Sequence, residues 1–293
     1  MRRALVAAVA GLAIPAAAGS FQALIDNDVV FGTDRGYTSG VRLSWLANAS
    51  APDAPRREFG LVQDIYTPDT KRDILGQSDR PYVGRLRLFG AVHAIAPGQF
   101  DTLEASAGVA GPSALGRQSQ EIIHRVVPSP ETDWSRQLPD RFDGAIAGTL
   151  TRVPWRQPGG FALALHGGAA LGTMEGYVHA GAEIRFGGEG APWSATLRHA
   201  ATPAASAGGE GGFSAFLGAS VKGVFRDRLI ERNADDPGLV LERRRAVGRV
   251  AGGVAWSARW GTVTFALAQD SDAFAQQRYR QRFGSLAVAI PLD

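Results

Sequence analysis

The chain has no cysteine, which excludes a disulfide framework, a cysteine-ligated zinc site and a thiol nucleophile. Lysine is nearly absent too: Lys71 and Lys222 are the only two, so almost all of the 31 basic residues are arginine. Against 28 acidic residues this leaves a formal net charge of +3, which does not call for a nucleic-acid partner. Long hydrophobic runs are missing. The composition is 45% hydrophobic with 37 glycines, yet the mean hydropathy is only -0.07, whereas each helical membrane crossing needs about 20 consecutive apolar residues. A multi-span helical protein is excluded. The common catalytic signatures are also absent. There is no G-x-S-x-G elbow, because Gly111-Pro112-Ser113-Ala114-Leu115-Gly116 has the wrong spacing, and no H-E-x-x-H, Walker or dinucleotide loop. Asp26-x-Asp28 opens like a calcium loop, but Tyr37 stands where an EF-hand needs its bidentate glutamate.

What is present begins with an address. Met1-Arg2-Arg3 is basic, Ala4 to Ala18 is apolar and alanine-rich, and Ala16-Ala17-Ala18 offers small residues for cleavage. Residues 1–18 are expected to be a secretory signal and 19–293 a single domain starting near Gly19, the alternative being an amphipathic or buried N-terminal helix. The rest alternates with period two. Phe161, Leu163, Leu165, Ala169 and Leu171 share one face; Val178, Ala180, Ala182, Ile184 and Phe186 alternate with Tyr177, His179, Gly181, Glu183 and Arg185. Such alternation marks strands with one apolar and one polar or tightly packed side.

About twelve such segments are expected, near 21–30, 40–47, 57–66, 82–96, 101–110, 142–155, 160–173, 177–187, 213–227, 240–257, 260–269 and 279–292. Trp193 to Arg198 is ambiguous between strand, loop and short helix. Segments of roughly ten residues suit tilted strands crossing a bilayer better than the usual 5–6-residue strands of soluble domains. The predicted fold is all-β: a closed antiparallel transmembrane β-barrel of about 12 strands. His93, His166, His179, Glu183, Arg185 and Lys222 would then line its lumen. A soluble β-sandwich or lipocalin-like barrel is the alternative. One feature dissents, since the chain ends Ile290-Pro291-Leu292-Asp293 rather than on the aromatic residue common in outer-membrane barrels.

Polar residues concentrate in the first half. Asp26-Asn27-Asp28 interrupts an apolar strand, and Thr33 to Gly40, Gln63 to Arg72, Ser78 to Gly84 and Gly111 to His124 follow. A carboxylate and an amide within a membrane-crossing strand are costly unless they bind something.

These motifs resemble the outer-membrane lipid A 3'-O-deacylases of Gram-negative bacteria, calcium-dependent twelve-stranded barrels. The resemblance runs through Asn27-Asp28, Tyr37-Thr38-x-Gly40, Asp64-Ile65-Tyr66-Thr67-Pro68, Lys71-Arg72, Asp79-Arg80-Pro81-Tyr82, Gly111-Pro112, Gln120-x-x-x-His124-Arg125 and Trp134. It covers about the first half of the expected mature chain; the second half matches only as barrel-like strands. Residue by residue it implies a catalytic group of Asn27, Asp28, Thr38, Lys71, Arg72 and His124, with His124 as general base. It also implies Ca²⁺ at Asp28, with Glu131 as a further ligand at a spacing altered by Pro128-Ser129-Pro130. Lipid A of lipopolysaccharide would be the substrate, Lys71 and Arg72 would meet its phosphates or the oxyanion, and Tyr66 and Trp134 would sit at the membrane interface. The protein would act as a monomer in the outer membrane.

Taken singly, each residue has a plainer reading. His124 among Ile122, Ile123 and Val126 suits a packed structural histidine, Asp28 a salt-bridged lumen residue, and Lys71-Arg72 a solvated loop. Asp79-Arg80-Pro81-Tyr82 and Gly111-Pro112 read as loop-shaping, Arg243-Arg244-Arg245 as an interfacial or solvated face, and His199 as a lumen or loop residue. Two other functions fit the same architecture: an outer-membrane phospholipase with calcium–histidine chemistry, and a non-catalytic porin-like barrel.

Overall fold

Period-two alternation settles which side of a wall each residue faces, and here the wall closes on itself. The computed structural model describes residues 19–51, 54–69, 80–126, 132–157, 160–187, 212–230 and 241–292. The expected signal segment, Lys71, Arg72, Asp79, Glu131, Trp193–Arg198 and His199 lie outside them. The strands are β1 (Gly19–Asn27), β2 (Gly36–Ala47), β3 (Arg56–Thr67), β4 (Val83–Ala96), β5 (Gln99–Ala110), β6 (Arg141–Gln157), β7 (Phe161–Gly172), β8 (Glu175–Gly187), β9 (Gly212–Asp227), β10 (Ala246–Ala258), β11 (Gly261–Asp270) and β12 (Gln281–Leu292). Each pairs antiparallel with its sequence neighbours, and β1 pairs with β12 to close the barrel. No described helix is long and apolar enough to cross a membrane.

The barrel is apolar outside and polar inside, as lipid requires. Leu88, Leu103, Ile146, Leu165, Leu217 and Leu286 are exposed on the outer face. Inside, Arg42 bridges Glu58 and Glu104, Arg85 bridges Asp143 and Glu175, Arg87 meets Asp64, and Arg249 meets Asp270. His93, fully buried, lies between Glu58 and Thr102, and His166, His179, Glu183, Arg185 and Lys222 also take the lumen side. Charges withdrawn from water need such partners.

Both termini of the closed wall lie on one rim, where three of the five connections, 97–98, 158–160 and 259–260, are of two or three residues and the other two are 48–55 and 188–211. Trp155, Phe161 and Phe186 form an edge-to-face chain at this rim, and Trp256 packs on Trp260. Exposed aromatics at that level suit a membrane interface. By the rule that outer-membrane barrels turn tightly on the periplasmic side, the opposite rim, with connections 68–82, 111–140 and 228–245, is extracellular. There Leu138, Met174, Leu229, Ile230 and Phe274 fold inward onto Val83 and Ala110. Leu229 and Ile230 among them roof a lumen cavity of about 200 Å³.

Three expectations are corrected. The strand expected to reach residue 30 stops at Asn27, because Asn27 Oδ1 accepts from Val29 N and caps a 3-10 turn over Asp28–Phe31. The strand expected from 240 starts at Ala246. A helix, α1 (Gly116–Val126), stands in the stretch 111–126, where only loop-shaping residues were read.

Candidate functional site

α1 docks against the outer surface of the barrel, at the extracellular ends of β3 and β4. The approach depends on glycine. A Cβ on Gly84 would lie 2.9 Å from the Gly116 backbone, and one on Gly116 2.8 Å from Gly84 Cα, so wall and helix touch backbone to backbone. Gly111, at φ +117°, turns the chain out of β5 against Asp140, where a side chain has no room. Leu115 then adopts a left-handed conformation at φ 59° to enter the helix, a costly geometry for a residue with a Cβ. Gln63 Nε2 on the wall donates to Ala114 O at 2.7 Å. Beneath this segment Ile65, Tyr82 and Trp134 form a small buried cluster.

Gln120 and His124 are one helical turn apart and so share a face of α1. Both reach Asp34, in the connection between β1 and β2. His124 Nε2 lies 3.2 Å from Asp34 Oδ2, and Gln120 Nε2 donates to both Asp34 oxygens at 2.9 and 3.1 Å. Gln120 is itself fixed, because Trp134 Nε1 donates to its Oε1 at 2.8 Å. A β-bulge between Tyr37 and Ser39 breaks the β2–β3 register. Bulges re-aim side chains, and this one sets Thr38 Oγ1 2.7 Å from Thr67 Oγ1, with the Thr38 hydroxyl also bonding Asp34. Asp34 thus gathers Thr38, Gln120 and His124.

Asp28 sits beside this group at the start of its 3-10 turn, only 1% exposed. Its Oδ2 accepts from Thr33 Oγ1 at 3.0 Å and from Arg35 N at 2.9 Å. Its Oδ1 is buried with no hydrogen-bond partner among the described residues. Burial pushes the Asp28 carboxyl up to about 8, with the nearby Asp34 adding to the rise. Burial raises Asp34 also, against the opposing pull of His124. An orphaned carboxylate oxygen with a second carboxylate nearby fits a hard cation with oxygen ligands. No group of three or more carboxylate or imidazole ligands forms among the described residues, so Asp28 would share such an ion with backbone carbonyls or with residues beyond those described.

Of the residues singled out in the sequence, Asn27, Asp28, Thr38 and His124 meet on one stretch of outer wall and helix. Asn27 caps the turn that carries Asp28. Lys71, Arg72 and Glu131 lie outside the described residues. Two placements are corrected: Tyr66 faces the lumen cavity, and Trp134 is buried beneath α1 rather than at the membrane interface. Asp34 was missed. It stands within a polar stretch of the sequence, but its role appears only when α1, more than 80 residues away in the chain, folds onto it.

Comparison with known proteins agrees with this architecture. The family model "Outer membrane protein LpxR" matches residues 4–292. The solved structure of LpxR from Salmonella typhimurium superposes with a TM-score of 0.78 at 17% identity, covering 92% of this chain and 99% of that one. The translocator domain of the autotransporter NalP from Neisseria meningitidis gives a TM-score of 0.45 at 10% identity, covering 99% and 94%. No curated protein sequence matches. The chain belongs to the LpxR family of outer-membrane proteins.

Proposed function

We propose that the protein is a calcium-dependent hydrolase that removes the ester-linked 3'-acyl or acyloxyacyl group from lipid A in the outer leaflet. The observation that carries this reading is the His124–Asp34 pair beside the orphaned Asp28 oxygen, on the outer surface of the wall. Exposed Ile25 and Val30 on the wall side, with Leu115 just before α1 and Ile122 on it, give acyl chains apolar surface to lie against. The substrate would approach laterally, its chains still in lipid.

In this mechanism Asp34 holds His124 through Nε2, leaving Nδ1 to take a proton from water as that water attacks the ester carbonyl. His124 then returns the proton to the sugar oxygen as the carbon–oxygen bond breaks, releasing a fatty acid and a free hydroxyl. No serine or cysteine nucleophile is needed. Asp28 would hold Ca²⁺, which supplies charge to polarise the carbonyl, with Glu131 proposed as a further ligand. Thr38 and Gln120 orient Asp34, Asn27 supports the Asp28 turn, and Lys71 and Arg72 would engage lipid A phosphate or the oxyanion. One closed chain supplies every proposed residue, so a monomer suffices.

The test is mass spectrometry of lipid A incubated with refolded protein, with Ca²⁺, with a chelator and with His124→Ala. Loss of a 3'-linked acyl mass that vanishes in both controls is expected. Unchanged lipid A from a verified folded barrel sinks the assignment; fatty acid released instead from glycerophospholipid would mark a phospholipase.

A further inference from the structure

The extracellular ends of β9, β10 and β12 carry a second feature, which the proposed chemistry does not use. The chain before β10 runs between two neighbours: Val224 N donates to Arg245 O, and Arg244 N to Ala273 O, both at 2.8 Å. This ties the end of β9, the residues before β10 and the β11–β12 connection into one strip. Along it Arg228, Arg244, Arg245, Arg278, Arg280 and Arg282 are exposed. The carboxylates on this surface, among the described residues, are Glu242 and Asp272, the latter 3.7 Å from Arg280. Asp227 and Asp270 turn inward and line the lumen cavity. At its far end the Arg282 guanidinium lies 6.0 Å from the Phe31 ring, in the turn that Asp28 opens.

Like charges so arrayed repel one another unless a polyanion answers them. The guanidinium fork matches phosphate oxygens in a way lysine does not. The strip stands at the rim where a barrel meets outer-leaflet headgroups, above exposed apolar residues such as Phe225 and Leu267. We propose that it is a docking surface for the phosphorylated headgroups of outer-leaflet glycolipid, separate from the Asp28–His124 site and ending at its β12 edge. The inference rests on placement in the outer membrane and is independent of hydrolysis.

The test uses the folded full-length barrel in detergent with a chelator, and native mass spectrometry to count bound lipid A or dephosphorylated lipid A. Wild type should retain phosphorylated lipid A in preference to the dephosphorylated form. Combined Arg244→Glu, Arg245→Glu, Arg278→Glu and Arg280→Glu should weaken retention about tenfold or more and flatten its salt dependence. Glutamine at the same positions should give an intermediate loss, and Arg57→Glu on the opposite rim no change. Heat-modifiable migration verifies each barrel's fold. Unchanged retention in the glutamate variant, or equal loss of both lipids, overturns the proposal. Phosphate-selective retention under chelator by a barrel that still leaves lipid A intact when Ca²⁺ is restored would leave the strip standing and count against the deacylase alone.

Discussion

Asp34→Asn is the sharpest test of the mechanism. The substitution keeps the side chain's size but removes the charge that Gln120, His124 and Thr38 converge on. An amide can still accept from Gln120. It can also donate to His124 Nε2, and so favour the tautomer with the proton on Nδ1, which cannot take a proton from water. A hydrogen bond to a charged group contributes about 1.5–3 kcal/mol, and the wrong tautomer adds to that loss. A total of about 2–4 kcal/mol corresponds to a fall in kcat of roughly 30- to 1,000-fold. Because Asp34 is half-buried and desolvation raises its carboxyl, the neutral amide should leave the fold as stable as before. The assay is single-time-point mass spectrometry of lipid A over a dilution series of refolded barrel. Asp34→Glu, which restores the charge, should recover part of the rate. Activity of Asp34→Asn within about threefold of wild type would refute the role assigned to the pair.

Three further outcomes follow from the geometry. The Asp28 carboxyl, held near 8, keeps a proton between about pH 4 and 8 that the unfolded chain has released, so its contribution favours the fold at low pH and is lost as pH rises through 8. A cation must displace that proton, so apparent Ca²⁺ affinity should rise about tenfold per pH unit toward pH 8 and then level off; calorimetry showing a flat profile would contradict it. Gly84→Val drives a side chain into the Gly116 backbone 2.9 Å away, at a cost of about 1–3 kcal/mol. It should lower activity tenfold or more while heat-modifiable migration stays normal; full activity would show that α1 need not touch the wall. The roofed lumen should give no steady conductance in planar bilayers, and a reproducible channel would contradict it.

The barrel was legible because its signal is repeated in every strand. Leu86, Leu88 and Val92 against Arg85, Arg87 and His93 already state which side faces lipid, and closure, expected because lipid leaves no partner for an open strand edge, is met where β1 pairs with β12. The site was legible in pieces. Asn27-Asp28 stood out because polar residues interrupt an apolar run, although that same polarity ends the strand at Asn27 and lifts Asp28 above it. α1 was not read, because Gly111 and Pro112 look like a loop and the apolar residues of the short helix, Ile122, Ile123 and Val126, all fall in its second half. Asp34 could not be chosen over its neighbours Thr33 and Arg35, since nothing local distinguishes it. Its partners are set by a long-range fold, and pairing across such a span leaves no periodic trace.

The seam between β1 and β12 has a consequence for timing. Asn27 pairs with Gly284 on one side and with Ser39 on the other, and Val30 of the Asp28 turn packs onto Gly284. The turn is therefore seated across the join where the first and last strands meet. A chain that is inserted but unzipped there has no seat for Asp28. On the proposed reading, hydrolytic competence would be a late property, reached only when the cylinder is shut, and a half-assembled copy in transit would be harmless to the lipids it passes.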